Sequence, residues 1–181
     1  MRSRLAVGVL LGMLVVALAG CTGATPRPSP TPTPPFASAD AAYKAAEATY
    51  RAYVAAGNRV NLQDPKTFPP VYHWLLDRAL DHQRKELSAM AAKDLRMSSE
   101  DHVTFVAPIG GGDVRWGDVS LAVCIDVSKS DVRDAAGRSL VRSTRPNKQS
   151  LTVAFSRDAS TSTGMKIASI TGRKGKPTCA E

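Results

Sequence analysis

The chain has 181 residues, of which 43% are hydrophobic, so it is long enough and apolar enough for one folded domain. Its 24 basic and 16 acidic residues give a formal net charge of +8 at neutral pH. The basic residues do not interleave with aromatic ones in the pattern that stacks bases, which argues against nucleic acid as a partner.

The first 20 residues have the pattern of a secretory signal peptide. Residues 1–4 are positively charged, and residues 5–19 form an almost uninterrupted apolar stretch that ends in small residues. This stretch of about 15 residues is shorter than the roughly 20 that a membrane-spanning helix needs, and no basic cluster follows it. The sequence therefore predicts export without a permanent membrane span.

Leu18, Ala19, Gly20 and Cys21 stand in the order of a lipobox, and this segment resembles the corresponding part of bacterial lipoproteins. The resemblance implies that the Cys21 thiol is diacylated and that the preceding peptide is removed. Two acyl chains suffice for stable anchoring, which predicts a location on the extracytoplasmic face of the cell membrane. The alternative is an unmodified cysteine beside an ordinary signal-peptidase site.

Residues 21–36 comprise the lipidated cysteine and a predicted linker. Prolines alternate there with threonine and serine: Pro26, Pro28, Pro30, Pro32, Pro34 and Pro35. Such a segment favours polyproline II at about 3.1 Å per residue, so it could hold the domain on the order of 45 Å from the lipid. A plain spacer is favoured over a glycosylated stalk or a docking site for a proline-recognising partner.

Residues 37–181 are predicted to form one domain whose surplus of positive charge lies near its C-terminus. Residues 22–124 hold 11 basic and 11 acidic side chains, whereas residues 125–181 hold 11 basic and 5 acidic ones. Anionic lipid headgroups or acidic wall polymers are natural partners for such a surface on an anchored domain. A surface charge that serves only solubility is favoured over a dedicated anion site.

The two cysteines of the domain, Cys124 and Cys179, form an even pair in a chain predicted to be exported, which indicates a disulfide. Closing that loop would stabilise the fold by about 4 kcal/mol through chain entropy. The sequence contains neither a C-x-x-C motif nor paired metal-ligand spacing, so we expect a structural bridge and no metal or other cofactor.

The first half of the domain has helical periodicity. Ser38 is a candidate N-cap for a helix over residues 39–56, and Gly57 can close it. Asp64 can cap a short helix that starts at Pro65. A second helical region follows, and the polar run over residues 81–86 predicts a break or bend near residues 80–86.

The second half alternates with a period of two, which predicts strands over residues 102–107, 118–126, 149–156 and 165–171. Turn residues separate these strands, so an antiparallel meander is more economical than parallel crossovers. Helices followed by strands predict an α+β fold, with the helices packed on one face of a curved sheet of about four to five strands.

This order of elements is similar to the cystatin-like cone of the nuclear transport factor superfamily, which includes isomerases, cyclases and binding-only modules. Residues 41–53, 123–128, 145–147 and 172–179 also resemble lipoproteins of high-GC actinobacteria that have no established activity. The first resemblance implies that an enzyme of this type would use an acid or base inside the cone.

Asp101, His102 and Asp126 are the candidate proton shuttles, and ordinary strand-end roles are favoured for each. Trp74 and Trp116 are weak candidates for lining a pocket, with core packing as the alternative.

His73, Asp77 and Asp81 would share one stripe of a continuous helix. Such a stripe is more typical of a solvated face than of a metal site. We therefore expect no metal site at these residues.

We predict a non-enzymatic binding or scaffolding lipoprotein of the cell envelope, whose partner is an envelope protein, an anionic wall polymer or a small apolar ligand. The first alternative is a cofactor-free isomerase or cyclase with a proton shuttle in the cone. The second is a phage-encoded surface-exclusion lipoprotein.

Overall fold

The structure is a computed structural model that describes residues 32–179. The predicted signal peptide, Cys21 and most of the linker therefore lie outside the described residues. The contacts within the chain group Thr33–Glu181 into one compact unit. No helix in the described part of the chain is long and apolar enough to cross a membrane.

The first helix, α1 (Ala39–Gly57), begins where the sequence predicts and ends one residue later, with Asn58 rather than Gly57 as its C-cap. The Ser38 hydroxyl accepts a hydrogen bond from the backbone amide of Ala41 at 3.1 Å, which caps the helix. Its buried face carries Ala42, Ala46, Thr49, Tyr50, Val54 and Ala56. The predicted short helix is a 3₁₀ turn over Pro65–Thr67, and the Asp64 carboxylate caps it by accepting from the amide of Lys66 at 3.1 Å.

The predicted break near residues 80–86 is wrong, because the helix breaks earlier. Helix α2 (Pro69–Tyr72) ends before a short extended segment, and α3 (Asp77–Ala92) then runs without interruption. The amide of Leu76 donates to the carbonyl oxygen of Ile167, and the amide of Ile167 donates to the carbonyl oxygen of Trp74, both at 2.9 Å. This pairing takes the backbone of residues 74–76 out of the helix.

Six strands follow, of which four form the sheet that packs against the helices, within the predicted four to five. They are β1 (Arg96–Ser98), β2 (His102–Gly110), β3 (Val119–Asp126), β4 (Asp131–Arg133), β5 (Lys148–Arg157) and β6 (Met165–Gly172). Four of them form an antiparallel sheet in the order β2-β3-β5-β6, and β1 pairs with β4 in a separate two-stranded sheet. The α+β prediction and the four longer strands are confirmed.

The helices pack on one face of the four-stranded sheet. That face contributes Val119, Leu121, Val123, Val153, Phe155, Met165 and Ile167 to the core, which Tyr50, Leu75 and Leu87 complete from the helical side. The opposite face carries smaller side chains, among them Ser120, Ala122, Ser150, Thr152 and Ala154. The sheet therefore separates a packed helical side from an open side.

The predicted pairing of Cys124 with Cys179 is confirmed. The two residues form a disulfide with their Cα atoms 5.6 Å apart. Cys124 lies on the open side of β3, so the bond fixes the C-terminal tail against that side. The Ser150 hydroxyl also donates to the sulfur of Cys179 at 2.9 Å.

Candidate functional site

The four-stranded sheet has two ends that differ in charge and in the chain segments they hold. Strand β3 runs from one end to the other, a distance of about 25 Å at roughly 3.3 Å per residue. Phe36, the last residue of the predicted linker, lies at the end where β3 starts, because its amide donates to the carbonyl oxygen of Arg115 at 3.2 Å. We call this the linker end, and it also includes the β5–β6 turn.

The opposite end is built from residues 126–148 and 172–179, and we call it the basic end. These two segments hold nine basic and three acidic residues. Three of the cations form ion pairs with nearby carboxylates, namely Arg133 with Asp131, Arg138 with Asp134, and Lys129 with Glu100. The other six have no carboxylate partner within 4 Å among residues 32–179: Arg142, Arg145, Lys148, Arg173, Lys174 and Lys176.

Arg145 fixes the position of the loop that leads into β5. Its Nη2 donates to the carbonyl oxygens of Val127 at 2.7 Å and Ser130 at 2.8 Å. The amide of Val127 in turn donates to the carbonyl oxygen of Asn147 at 2.8 Å. These bonds hold the loop of residues 141–148 against the segment that follows β3.

A groove of about 460 Å³ lies beside this loop, and we call it the loop groove. Polar side chains dominate its walls: Asp126, Ser128, Ser143, Thr144, Asn147 and Lys148. A second hollow of about 380 Å³ shares Thr144, Arg145 and Pro146 with it and adds Arg142. The two hollows place hydroxyl, amide and cationic donors next to each other on the surface.

Of the three candidate proton shuttles, only Asp126 lines the loop groove. The hydroxyl and amide of Ser128 hold the pKa of the Asp126 carboxyl below its usual value, and Lys148 and His102 lower it further. His102 is exposed and pairs with Asp126 across β2 and β3. The Asp101 carboxylate accepts from the Ser130 hydroxyl. The three residues thus meet at the basic end rather than in the interior between helices and sheet.

The C-terminal tail adds three further cations to this end. Arg173 donates from Nε to the carbonyl oxygen of Leu151 at 3.3 Å and from Nη1 to that of Gly175 at 2.8 Å. Its Nη2 is buried and has no hydrogen-bond partner among residues 32–179. Lys174 and Lys176 are exposed. The disulfide holds the tail against β3, and Thr178 and Cys179 line a shallow hollow together with Lys148.

The remaining predicted residues lie outside the loop groove. Trp74 is half-buried against the core and packs edge-on against His73, with ring centroids 5.0 Å apart. Trp116 is 36% exposed at the linker end. The two tryptophans therefore line neither the loop groove nor a shared pocket with the candidate shuttles.

The helical stripe of His73, Asp77 and Asp81 does not form. His73 follows α2, and Asp77 starts α3 with a positive φ of 47°, so the helix does not continue from one residue to the next. No group of three or more potential metal ligands occurs among residues 32–179.

No protein-family model and no curated protein matches the chain. Among solved structures it is similar to the intermembrane space region of the chloroplast protein ARC6, with a TM-score of 0.48 and 12% identity over 72% of this chain and 95% of that one. It is also similar to a de novo designed β-sheet protein solved by NMR, with a TM-score of 0.34 and 13% identity over 78% of this chain and 97% of that one.

Away from the basic end, a separate cleft of about 230 Å³ lies between α3 and β6. The Tyr53 hydroxyl donates to Oε1 of Gln83 at 2.7 Å in its wall, and burial raises the pKa of Tyr53. His82 and Glu86 lie 3.6 Å apart at its exposed rim. The cleft is smaller than the roughly 300 Å³ at which ligand pockets usually begin.

Sequence reasoning missed the loop groove because its members belong to an irregular segment. Ser128, Ser143, Thr144 and Asn147 follow no helical or strand period, and their polar character is ordinary for loops. The signal that could have found them is the density of cations around them in residues 142–148, next to hydroxyl and amide side chains.

Proposed function

We propose that this protein is a lipid-anchored component of the bacterial cell envelope whose domain binds an anionic wall polymer through its basic end. One observation carries the proposal. Six cations without a carboxylate partner in the described chain lie together at the end of the sheet opposite the linker end.

The concentration of charge supports binding rather than general solubility. A surface of one sign attracts a polyanion over a longer range than a mixed surface does, and it raises the association rate. Elsewhere in the described chain, basic and acidic residues are nearly balanced. At the linker end, for example, Lys166 pairs with Asp158 at 3.3 Å.

The position of the charge favours a wall polymer over the membrane to which Cys21 would be attached. The predicted linker spans on the order of 45 Å, several times the roughly 8 Å over which salt screens charges at physiological ionic strength. The cations of the basic end therefore do not depend on lipid headgroups for a counter-charge. Binding to anionic lipid headgroups is therefore the alternative that the test must distinguish from binding to a wall polymer.

The composition of the interior supports binding rather than catalysis in the cone. An isomerase or cyclase needs an acid or base directed into an apolar pocket. Among residues 32–179, the buried polar side chains are those of Thr49, Thr161 and Tyr50, and no aspartate, glutamate, histidine, lysine or arginine is buried. Burial raises the pKa of the Tyr50 hydroxyl, which makes it a poor general base, and Tyr50 and Phe155 fill the space between helices and sheet.

The anchor is tested by fractionating cells that express the full chain. The unaltered protein should remain in the membrane pellet after an alkaline wash, and Cys21→Ala should move to the soluble fraction. A matched change, Cys124→Ala, leaves the lipobox intact and should leave the protein in the pellet. Retention of Cys21→Ala in the pellet would contradict the anchor.

Binding is tested with the full chain in nonionic detergent micelles. The probes are poly(glycerol phosphate), poly-L-glutamate of equal chain length, and vesicles that contain phosphatidylglycerol. One variant carries Arg142→Gln, Lys174→Gln and Lys176→Gln. The control carries Lys44→Gln, Lys85→Gln and Arg157→Gln, so both variants lose three exposed cations and have the same net charge.

We expect the variant at the basic end to bind the polymers between roughly tenfold and a hundredfold more weakly at low salt, because it lacks three exposed cations that each contribute up to about 1 kcal/mol near an anionic surface. The control should bind within about twofold of the unaltered protein. Equal losses in both variants would contradict a site at the basic end. Tight binding to the vesicles together with weak binding to both polymers would contradict a wall polymer.

A further inference from the structure

We propose that the loop groove is a phosphate site, in which Ser143, Thr144, Asn147 and Lys148 contact one phosphate group of a phosphodiester polymer. This inference rests on the proposed function and narrows its ligand from any polyanion to one that carries phosphate.

The side chains that would contact the phosphate are not used elsewhere in the fold. Ser143, Thr144 and Asn147 make no side-chain hydrogen bond among residues 32–179, and Lys148 forms no ion pair there. Arg145, in contrast, already donates from Nη2 to the carbonyl oxygens of Val127 and Ser130. Arg145 is therefore a positioning residue that presents the others.

The type of donor favours phosphate over carboxylate. A carboxylate is recognised best by the planar fork of an arginine, which offers two parallel N–H groups. In the loop groove, Arg145 already donates from Nη2 to two backbone carbonyl oxygens, and the Ser128 hydroxyl is hydrogen-bonded to Asp126. The donors that remain are single ones: the hydroxyl groups of Ser143 and Thr144, the amide of Asn147 and the ammonium group of Lys148. Lysine binds phosphate as a point charge, and hydroxyl groups can reach a tetrahedral anion from different directions.

The neighbouring hollow explains why the ligand would be a polymer. It shares Thr144, Arg145 and Pro146 with the loop groove and presents the exposed guanidinium of Arg142 on its other side. An anion in the loop groove and a second anion at Arg142 would therefore be separated by a single turn of the loop. A chain with repeated phosphate groups can occupy both places at once and gains from the second contact.

Asp126 limits the affinity of the loop groove for phosphate. Its carboxylate lies in the same wall as Lys148 and is the one acidic side chain among the residues that line the groove. A negative charge there repels a phosphate, although Lys148 and His102 offset part of it. Asp126→Asn should therefore bind poly(glycerol phosphate) more tightly than the unaltered protein does.

The test removes hydroxyl groups without changing the charge. The full chain in nonionic detergent micelles is compared with a Ser143→Ala, Thr144→Val variant by calorimetry, with poly(glycerol phosphate) and poly-L-glutamate of equal length as probes. The control is Ser160→Ala, Ser162→Ala, which removes two exposed hydroxyl groups from the turn at the linker end. Thermal unfolding of each variant checks that the fold is intact.

We expect the loop variant to bind poly(glycerol phosphate) roughly tenfold more weakly, since hydrogen bonds to a charged group are the strong ones, and poly-L-glutamate within about twofold. The control should bind both polymers as the unaltered protein does. Unchanged binding of poly(glycerol phosphate) by the loop variant would overturn the phosphate site.

Failure of the phosphate site and failure of the proposed function can be told apart. If the loop variant binds normally while the Arg142→Gln, Lys174→Gln, Lys176→Gln variant does not, the basic end binds polyanions but the loop groove does not select phosphate. If the unaltered protein binds neither polymer, the proposed function fails together with the phosphate site.

Discussion

Phe36 and Arg115 are joined by two hydrogen bonds, and each residue is the donor in one of them. The amide of Phe36 donates to the carbonyl oxygen of Arg115 at 3.2 Å, and Nε of Arg115 donates to the carbonyl oxygen of Phe36 at 3.4 Å. The Phe36 ring also packs against the hydrophobic core. These contacts fix Phe36 at the linker end of the sheet, about 25 Å from the basic end.

The disulfide should account for much of the stability of the C-terminal half. Removing the bond between Cys124 and Cys179 with a Cys124→Ala, Cys179→Ser change should lower the free energy of unfolding by about 2–4 kcal/mol, because the bond closes a long loop. Urea titration measures the effect, and the unaltered protein in reductant is the control. A loss in the variant without a similar loss in the reduced protein would point to packing rather than to the cross-link.

The hydrogen bond between Tyr53 and Gln83 should contribute to the docking of α3 on α1. Gln83→Ala leaves the half-buried Tyr53 hydroxyl without its acceptor, and we expect a loss of about 1–2 kcal/mol. Tyr53→Phe with Gln83→Ala should cost less than the sum of the two single changes. A double-mutant cycle in urea measures this coupling, and strictly additive losses would contradict it.

The C-terminus of α3 should gain stability from glycine. Asp94 has a positive φ of 51°, and the amide of Leu95 donates to the carbonyl oxygen of Met90 as in a Schellman motif. Asp94→Gly removes the strain of this conformation and should raise the free energy of unfolding by about 0.5–1 kcal/mol. Asp94→Ala keeps a side chain at the same φ and serves as the matched control. Stabilisation by alanine as large as that by glycine would contradict the backbone argument.

Acid should destabilise the protein below the ordinary pKa of aspartate. Hydrogen bonds from hydroxyl groups and backbone amides later in the chain hold the pKa of four carboxyl groups below the ordinary 3.8: Asp126, Asp131, Asp134 and Asp158. Because their folded-state pKa values are lowered, the stability they contribute is present above pH 3.8 and is lost as the pH falls through the folded-state values.

Thermal unfolding between neutral pH and pH 3 measures this acid dependence. Asp134→Asn should make the unfolding temperature depend less on pH, because Asp134 accepts hydrogen bonds from the amides of Ala136 and Arg138. Asp113→Asn is the control, since the Asp113 carboxylate accepts no hydrogen bond among residues 32–179. An equally flat profile for both variants would contradict the role of the turn hydrogen bonds.

Regular periodicity made most of the fold predictable. The alternation of Val119, Leu121, Val123 and Ile125 identified the central strand and its buried face, and Ser38 identified the start of α1. The spacing of apolar residues misled only in the second helical region. There Gln83 lies on the packed face of α3 between the buried residues Ala79 and Leu87. Because a polar residue interrupts the apolar face, the pattern wrongly predicted that the helix breaks there.

Contacts between distant segments could not be predicted in this way. The pairing of Leu76 with Ile167 breaks the helix at a place that has no breaker residue in the sequence. Strands β1 and β4 have three residues each, too few for a period to be recognised. The surplus of positive charge was visible in the sequence, but its concentration at one end depends on the fold of residues 126–148 and on the disulfide.

Hydrogen exchange of the full chain, with and without poly(glycerol phosphate), tests the central claim most directly. We predict slower exchange in residues 141–148 and 172–179 when the polymer is bound, and unchanged exchange in residues 112–117 and 158–164 at the linker end. Protection confined to the linker end, or spread evenly over both ends, would contradict a binding site at the basic end.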